Sequence, residues 1–353
     1  MIKTCMTVNK LYACIIINAI CLIMGNQVLA QAQAPNDISE IEVLKDSKSF
    51  DKKYEIVSRA KSRIWISVMI FDCSDSSSKL FEEIIRKQEE ENVDVRIMAE
   101  GLYMKTLAHP CYARLKNDHQ IKITQIFDHF KKGGNLSRMM HEKFFIVDNE
   151  ELILGGMNFI KYENEANEKN GWVRDTDVYL KSARLTQSVA EEFVWMWNFF
   201  SKKDKIENFK INSGDDPLNQ GSCRILVQNP RRGLDQADEF ITENLRSARV
   251  SLKMYTPGMK YGKADFFSIL KEKVEKGFEF SLIRPGIAKQ ADELTMFMND
   301  HIQQKIKNKD ILGAGACFLG KCLGKLLVNS SVRSGFRSLL ENYGNKINVY
   351  DFP

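Results

Sequence analysis

The chain has 353 residues, which is enough for about two domains. Hydrophobic residues make up 44% and charged residues 27% of the sequence, so the chain can bury a core, and a disordered or collagen-like chain is excluded. The formal net charge of +5 is too small to indicate nucleic-acid binding by itself.

The N-terminal segment, residues 1–30, predicts a signal peptide. Lys3 and Lys10 give it a basic start, Leu11–Met24 form an apolar run, and small residues follow it. We expect cleavage after this segment and export across the inner membrane, into the periplasm or out of the cell. An uncleaved N-terminal membrane anchor is the alternative, although the apolar run is shorter than the roughly 20 residues of a typical span.

Residues 50–201 alternate between amphipathic and apolar segments, which predicts an α/β domain. The predicted helices cover 52–61, 79–91, 108–117 and 183–200, and the predicted strands cover 63–71, 93–99, 121–127, 143–147, 152–154 and 176–180. The polar residues 31–49 predict a linker before this domain, and the charged and Ser/Gly/Pro-rich residues 202–222 predict a second linker after it.

After the second linker the pattern restarts, which predicts a duplication. Three segments of the second half resemble segments of the first in the same order: Arg249–Leu252 with Arg63–Ile66, Gly277–Gly286 with Asn92–Gly101, and Ile347–Val349 with Ile121–Ile123. The fold class is therefore predicted as α/β, with two similar halves that each contain a mixed sheet flanked by helices. The second half, 223–353, carries an insertion at about 287–340 between its second and third strands.

The cysteines give little support for a cross-linked framework. Outside the predicted leader they are Cys73, Cys111, Cys223, Cys317 and Cys322. Their odd number, wide spacing and lack of a CxxC pair exclude a disulfide framework and a zinc site. We expect small buried hydrophobic side chains, and a disulfide in the exported protein is the alternative.

One segment, His141–Asn158 (HEKFFIVDNEELILGGMN), carries residues suited to chemistry on phosphate. On a strand, residues two apart project to the same face, so we expect His141 and Lys143 to lie side by side. The Lys143 ammonium would neutralise phosphoryl oxygens, while the imidazole would attack phosphorus or move a proton.

The rest of this segment also fits phosphate binding. Gly155 and Gly156 let the backbone approach a ligand closely, and the amide of Asn158 can donate a hydrogen bond to a phosphate oxygen. Asp148 follows the strand at a turn. We expect its carboxylate mainly to pair with neighbouring groups, with direct catalysis as the alternative.

The segment resembles the HKD motif of the phospholipase D superfamily, His-x-Lys-x4-Asp-x6-Gly-Gly/Ser-x-Asn, and every fixed position is present. Trp172–Leu180 is similar to the segment that follows the motif in cardiolipin synthases and bacterial phospholipases D. The resemblance implies that His141 is the nucleophile, giving a phosphohistidine, and that Lys143 and Asn158 bind phosphoryl oxygens. It also implies that Asp175 orients an active-site histidine, and that neither a cofactor nor a metal ion is needed.

The superfamily builds one active site from two such motifs, and here the sequence departs from it. After the first motif the chain contains one further histidine, His301, which lies in no such pattern. The spacing of the repeats places a second motif beyond Pro353. We therefore expect a chain truncated before its second motif, and the alternative is a homodimer that completes the active site.

The resemblance implies a phosphodiesterase or phosphatidyltransferase that acts on glycerophospholipids at a membrane surface, by hydrolysis or by cardiolipin-type transfer. Two alternatives stay open: an endonuclease of the same superfamily, and a catalytically inactive lipid-binding remnant. The near-neutral charge and the Gly-Gly form of the motif disfavour nucleic acid as a partner.

Overall fold

The computed structural model describes most of the first half of the chain and parts of the second. The described residues are 38–73, 75–101, 104, 109–126, 140–160, 163, 175–209, 225–255, 264–285 and 347–352. The predicted leader at 1–30, the insertion at about 287–340 and Trp172 lie outside them.

The first half follows the predicted α/β order, with one additional strand at its start and bounds that differ by a few residues. Its strands are β1 (Glu40–Lys45), β2 (Arg63–Val68), β3 (Asp94–Glu100), β4 (Lys122–Ile126), β5 (Phe144–Val147), β6 (Glu151–Gly155) and β7 (Thr176–Lys181). Helices with described bounds are α1 (Ser47–Ser58), α2 (Asp75–Glu91), α3 (His109–Ala113) and α4 (Ala183–Phe200). A π-helical turn, Arg114–Asp118, follows α3.

These strands form one mixed sheet in the order β1-β7-β6-β5-β2-β3-β4, which confirms the predicted fold class. β2, β3 and β4 run parallel, and the other neighbours are antiparallel. In the β2–β5 pair, Ser67 lies opposite Phe144. His141 and Lys143 therefore lie beside the C-terminal end of β2, at the edge of the sheet where α/β proteins commonly bind ligands.

Helices cover the sheet on both faces, which explains why β5 is apolar at every position. Phe145 and Val147 belong to the core that α1 and α2 cover, here called the α1/α2 side. Phe144 and Ile146 belong to the core that α4 covers, here called the α4 side. Successive residues around the motif therefore point into two different environments.

The N-terminal boundary of the domain differs from the predicted one. Residues 40–45, which were assigned to the linker 31–49, form β1, and β1 pairs with β7 so that Glu40 lies opposite Lys181. Leu44 is fully buried, while its neighbours in this edge strand are exposed. The sequence looks polar here because an edge strand presents its side chains mostly to solvent.

Helix α4 forms as predicted and supplies the core of its side of the sheet. The hydroxyl of Ser182 caps its first turn by accepting a hydrogen bond from the Leu185 amide at 3.2 Å. Trp197 is buried in this core. Among the described helices, none is both long and apolar enough to cross a bilayer.

The described part of the second half consists of short strands and two helices. Strands are β8 (Gln228–Asn229), β9 (Leu234–Asp235), β10 (Ser251–Tyr255), β11 (Glu279–Pro285) and β12 (Ile347–Phe352), and helices are α5 (Gln236–Ser247) and α6 (Ala264–Glu275). β10, β11 and β12 form a parallel sheet in that order. The sheet predicted as mixed is therefore parallel in its described part.

The two halves share local details as well as the order of their elements. Nζ of Lys87 donates to the Ala60 carbonyl at 3.0 Å, and Nζ of Lys273 donates to the Ala248 carbonyl at 2.6 Å. In each half this bond ties the helix between two parallel strands to the residues just before the first strand. The equivalent hydrogen bonds support the predicted duplication.

One pair of cysteines differs from the favoured expectation of buried thiols. Cys73 and Cys111 form a disulfide with their Cα atoms 5.2 Å apart. It joins the segment after β2 to helix α3. The structure thus supports the alternative of a disulfide for this pair, while the other cysteines lie outside the described residues.

Candidate active site

His141 and Lys143 lie together just before β5. Nζ of Lys143 is 3.1 Å from Nδ1 of His141, and it donates a hydrogen bond to the His141 carbonyl oxygen at 2.9 Å. The histidine is exposed, whereas Lys143 is buried. The structure therefore brings these two predicted site residues together at an accessible edge of the sheet.

The surroundings favour a neutral imidazole at His141. Desolvation by the neighbouring protein, followed by the charge of Lys143, lowers the pKa of His141 to about 4. Near neutral pH the ring therefore keeps a nitrogen lone pair available. A nucleophile that attacks phosphorus needs such a lone pair.

Carboxylates on the α1/α2 side hold Lys143 in its charged form. Burial lowers the pKa of the Lys143 ammonium to about 8, while the charges of Glu163, Asp175 and Asp177 act in the opposite direction. At neutral pH the ammonium is therefore mostly protonated. This buried cation is suited to neutralising an anionic phosphoryl group.

Asn158 is held in place by Glu163, a residue that the sequence did not single out. The backbone amide and Nδ2 of Asn158 both donate to the Glu163 carboxylate, the side-chain bond at 3.0 Å. Oδ1 of Asn158 accepts a hydrogen bond from the Ile70 amide at 3.3 Å. Nδ2 carries a second hydrogen, and its proposed bond to a phosphate oxygen stays a prediction.

The two glycines of the motif face carboxylates of the neighbouring strand. A Cβ atom at Gly155 would lie 1.9 Å from Oδ1 of Asp177, and one at Gly156 would lie 2.3 Å from Oδ1 of Asp175. The close approach of β6 to the start of β7 therefore explains why both positions are glycine. Their proposed contact with phosphate stays a prediction.

Asp175 lies behind Gly156 and acts electrostatically on Lys143. Its Oδ1 accepts a hydrogen bond from the Thr176 amide at 2.7 Å, and burial raises the pKa of its carboxyl. Within the described residues, no hydrogen bond joins Asp175 to His141. The structure thus brings Asp175 to the lysine of the motif, and its orienting role toward a histidine stays a prediction.

Asp148 lies at the opposite end of β5 from His141. Its Oδ1 accepts hydrogen bonds from the amides of Ser62 at 2.7 Å and Arg63 at 3.2 Å, and from the Ser62 hydroxyl at 2.8 Å. Burial alone would raise the pKa of this carboxyl, but these hydrogen bonds lower it. The geometry agrees with the pairing role and not with direct catalysis.

A buried ion pair lies next to Gly155 and Gly156, here called the glycine turn of the motif. Lys53 on α1 and Asp177 on β7 are each 1% exposed, and Nζ of Lys53 lies 2.7 Å from Oδ2 of Asp177. Oδ1 of Asp177 accepts a hydrogen bond from the Met157 amide at 3.2 Å. Sequence reasoning missed this pair because lone charged residues in a helix and a strand usually face solvent.

A cavity of about 620 Å³ adjoins the motif on the α4 side of the sheet. Its walls come from the motif segment, from α4 and from the segment that begins the described second half. They are largely apolar, and the lining residues include His141, Lys143, Gly155, Trp195, Phe200, Ile225 and Arg231. Its volume falls within the roughly 300–1,000 Å³ of typical small-ligand sites.

Two acidic residues also line this cavity, and they differ in their partners. Glu192 of α4 accepts hydrogen bonds from Nδ2 of Asn229 and from the Arg232 guanidinium. Glu142 lies between the two motif residues, and its Oε2 is enclosed without a hydrogen-bond partner among the described residues. Burial, followed by the charge of Glu192, raises the pKa of Glu142 to about 7.

Comparison with known proteins agrees with the motif. Residues 54–197 match a family model described as "Cardiolipin synthase, PLD-like domain". The chain is 22% identical over 240 residues to the major cardiolipin synthase ClsA of Bacillus subtilis strain 168, covering 67% of this chain and 48% of that protein. It is 25% identical over 218 residues to a cardiolipin synthase of Oceanobacillus iheyensis, covering 62% and 45%. The chain thus spans about half the length of the curated relatives it matches.

A solved structure has the same fold. The phosphatidylserine synthase of Haemophilus influenzae Rd KW20 matches with a TM-score of 0.55 and 12% identity, covering 80% of this chain and 72% of that one. At this identity the similarity concerns the fold alone.

Proposed function

We propose that the chain belongs to the phospholipase D superfamily, as the match of residues 54–197 to a phospholipase D-like domain supports, and that it is a phosphodiesterase or phosphatidyltransferase acting on glycerophospholipids. The contact between the Lys143 ammonium and the His141 imidazole, beside an accessible cavity, carries this proposal. The names of the curated relatives, both cardiolipin synthases, support a lipid as the substrate.

The reaction would proceed in two steps at His141. The phosphodiester binds so that Lys143 moves its ammonium from the ring to a phosphoryl oxygen, and Asn158 donates its second amide hydrogen to another. A ring nitrogen of His141 then attacks phosphorus, and the bond from phosphorus to the head-group oxygen breaks. In the second step water or an alcohol attacks phosphorus and gives its proton to the group that protonated the leaving oxygen, and the phosphorus–nitrogen bond breaks.

The leaving head-group oxygen needs a proton, and a second copy of the chain would supply it. The superfamily motif works in pairs, and among the described residues no second histidine lies beside His141. We propose that His141 of one protomer attacks in its neutral form while His141 of its partner, held in the charged form by the bound phosphodiester anion, protonates the leaving group.

We also propose that the protein is exported. The Cys73–Cys111 disulfide supports this location, because disulfides persist in oxidising compartments and are rare in the cytosol. The apolar leader at residues 1–30 is the second support.

The experiment uses purified full-length chain, phospholipid vesicles and plasmid DNA. We expect release of the head group or formation of a new phosphatidyl ester, lost by at least about a thousandfold in His141→Ala. His119→Ala is the matched control, because His119 contacts Glu89 and lies outside the site. Rapid denaturation without acid should trap a phosphatidyl adduct on His141, because a phosphorus–nitrogen bond is labile in acid.

Each alternative has its own outcome. Plasmid nicking that requires His141, without lipid turnover, would identify a nuclease. Lipid binding without turnover of either substrate would identify an inactive remnant. Turnover of lipid that survives in His141→Ala would reject the proposed nucleophile.

A further inference from the structure

The side chain of Glu100, the last residue of β3, is a buried carboxylate beside the candidate active site. It is 0% exposed, and its Oε2 accepts a hydrogen bond from the Met140 amide at 2.9 Å. Met140 immediately precedes His141 in the sequence. Because burying a carboxylate costs free energy, an apolar side chain would suit this position better unless the hydrogen bonding of Glu100 is needed.

Glu100 connects three segments that are far apart in the sequence. Its backbone amide donates to the Met69 carbonyl just after β2 at 3.1 Å, and its carboxylate holds the Met140 amide shortly before β5. β2 lies between β3 and β5 in the sheet, so the side chain reaches past the end of β2. The residue before the proposed nucleophile is therefore fixed to the parallel part of the sheet.

Met140 is also held by its side chain, whereas His141 has few contacts of its own. The Ser67 hydroxyl on β2 lies 3.6 Å from Sδ of Met140, and Met140 is buried. Within the described part of the chain, the hydrogen-bond contacts of the exposed His141 are those with Lys143. The position of the imidazole is thus set by Lys143 and by the backbone at Met140.

From these contacts we propose that Glu100 is a positioning residue for the reaction at His141. Its carboxylate fixes the backbone at Met140, and through that backbone it places the imidazole where it can attack phosphorus. The inference rests on the proposed function, since it concerns the orientation of the proposed nucleophile. Misplacing a reacting group by about 1 Å can cost about a hundredfold in rate, so this hydrogen bond affects the chemistry without contact with the substrate.

The hydrogen-bond acceptor matters in this role, and the negative charge does not. The groups that shift the pKa of His141 are the protein that buries it and Lys143. A variant that loses the charge of Glu100 but keeps an acceptor oxygen should therefore behave like wild type. Glu100→Gln is such a variant, whereas Glu100→Met has a similar length and offers no oxygen.

The first test measures kcat, KM and the melting temperature of the full-length chain with phospholipid vesicles. We expect Glu100→Gln to keep kcat within about threefold of wild type and Glu100→Met to lose at least about tenfold, with KM within about twofold in both. If Glu100→Met does not fold, Glu100→Asp replaces it, because its shorter side chain brings the carboxylate less far toward Met140, and the same loss of kcat is expected.

Glu151→Met is the matched control. Glu151 is another buried carboxylate, which accepts hydrogen bonds from Arg59 and Tyr179. It lies opposite Val147, at the end of β5 that is remote from His141. This variant should melt at a lower temperature and keep the wild-type kcat.

The second test needs no turnover, so it separates this inference from the proposed function. In NMR spectra of protein with isotope-labelled histidines, the signals of His141 are those that His141→Ala lacks. We expect Glu100→Met to shift or split them and Glu100→Gln to leave them in place, while the His119 signals stay the same in every protein. A chain that turns over no lipid but gives this pattern would reject the enzyme and retain the positioning role.

Three results would overturn the inference. The first is a set of His141 signals that is the same in Glu100→Gln and Glu100→Met. The second is a rise in KM in place of the loss of kcat. The third is a kcat that stays at the wild-type value in Glu100→Met while the melting temperature falls, as in Glu151→Met, because Glu100 would then be structural.

Discussion

Nζ of Lys53 lies 2.7 Å from Oδ2 of Asp177, although the two residues are 124 positions apart in the sequence. The pair is buried between α1 and β7, directly behind the glycine turn of the motif. A buried ion pair of this kind is costly to break from one side, because the remaining charge stays buried without a partner.

We therefore expect Lys53→Met to lower the free energy of unfolding by about 3–5 kcal/mol in urea titrations. Replacing both partners, in Lys53→Met with Asp177→Asn, should recover part of this loss. Lys52→Met is the neighbouring control, because Lys52 pairs with the exposed carboxylates of Glu42 and Glu55 and should cost less than about 1 kcal/mol. Equal losses at positions 52 and 53 would contradict the prediction.

The hydrogen bonds accepted by the Asp148 carboxylate predict that replacing this residue lowers the stability of the fold but not the rate of the reaction. Asp148 has a φ of 52°, and its carboxylate accepts hydrogen bonds from the amides that begin β2. Asp148→Ala should lower the free energy of unfolding by about 2–3 kcal/mol, and Asp148→Asn by less, since Asn tolerates this backbone conformation and keeps one acceptor oxygen. The rate per folded molecule should stay within about threefold of wild type.

The same carboxylate contributes to stability in a pH-dependent way. Its pKa is lower in the folded than in the unfolded chain, so its contribution is complete above the unfolded pKa of about 3.9 and disappears as pH falls through the folded pKa. Urea titrations below pH 4 should show this component in wild type and not in Asp148→Ala. A catalytic Asp148 would instead abolish turnover in a stable variant.

The Cys73–Cys111 disulfide closes a loop over a sequence separation of 38 residues. The chain-entropy estimate for such a loop is about 4 kcal/mol. The double variant Cys73→Ser with Cys111→Ser should lose about 2–4 kcal/mol of stability, and a reducing agent should lower the melting temperature of wild type but not of the double variant. Equal effects of reduction on both proteins would reject this cross-link.

The pH dependence of kcat/KM should report the two motif residues. His141 must be neutral to attack, so activity should rise as pH increases through about 4. Lys143 must be charged to bind phosphate, so activity should fall as pH increases through about 8. A histidine with an ordinary pKa of about 6.5 would place the acid limb more than two units higher.

Glu163 should act on that profile through Lys143. Its carboxylate raises the pKa of the Lys143 ammonium, and its own pKa is raised to about 7 by burial, so it is ionised where the alkaline limb lies. Glu163→Gln should shift the alkaline limb to lower pH while the acid limb stays in place. Glu163→Asp should restore the limb in part, and an unchanged profile with a lower melting temperature would assign Glu163 to structure alone.

Much of the chemistry was set by local sequence. The i, i+2 spacing of His141 and Lys143 brings their side chains together wherever the backbone is extended, so the pair could be predicted without knowledge of the fold. The apolar residues Phe144–Val147 predict a strand covered on both faces, and the structure places them in two separate cores. These features depend on residues within a few positions of one another.

The tertiary structure decided which distant groups surround that pair. Glu163 reaches Asn158, Asp177 meets Lys53, and Cys73 meets Cys111 only because β2, β6 and β7 share one sheet with α1 and α3 packed near it. No periodicity in the sequence encodes such contacts, since each depends on the registry of elements far apart in the chain. The raised pKa of Glu142 is of the same kind, because it depends on burial and on the charge of Glu192 from α4.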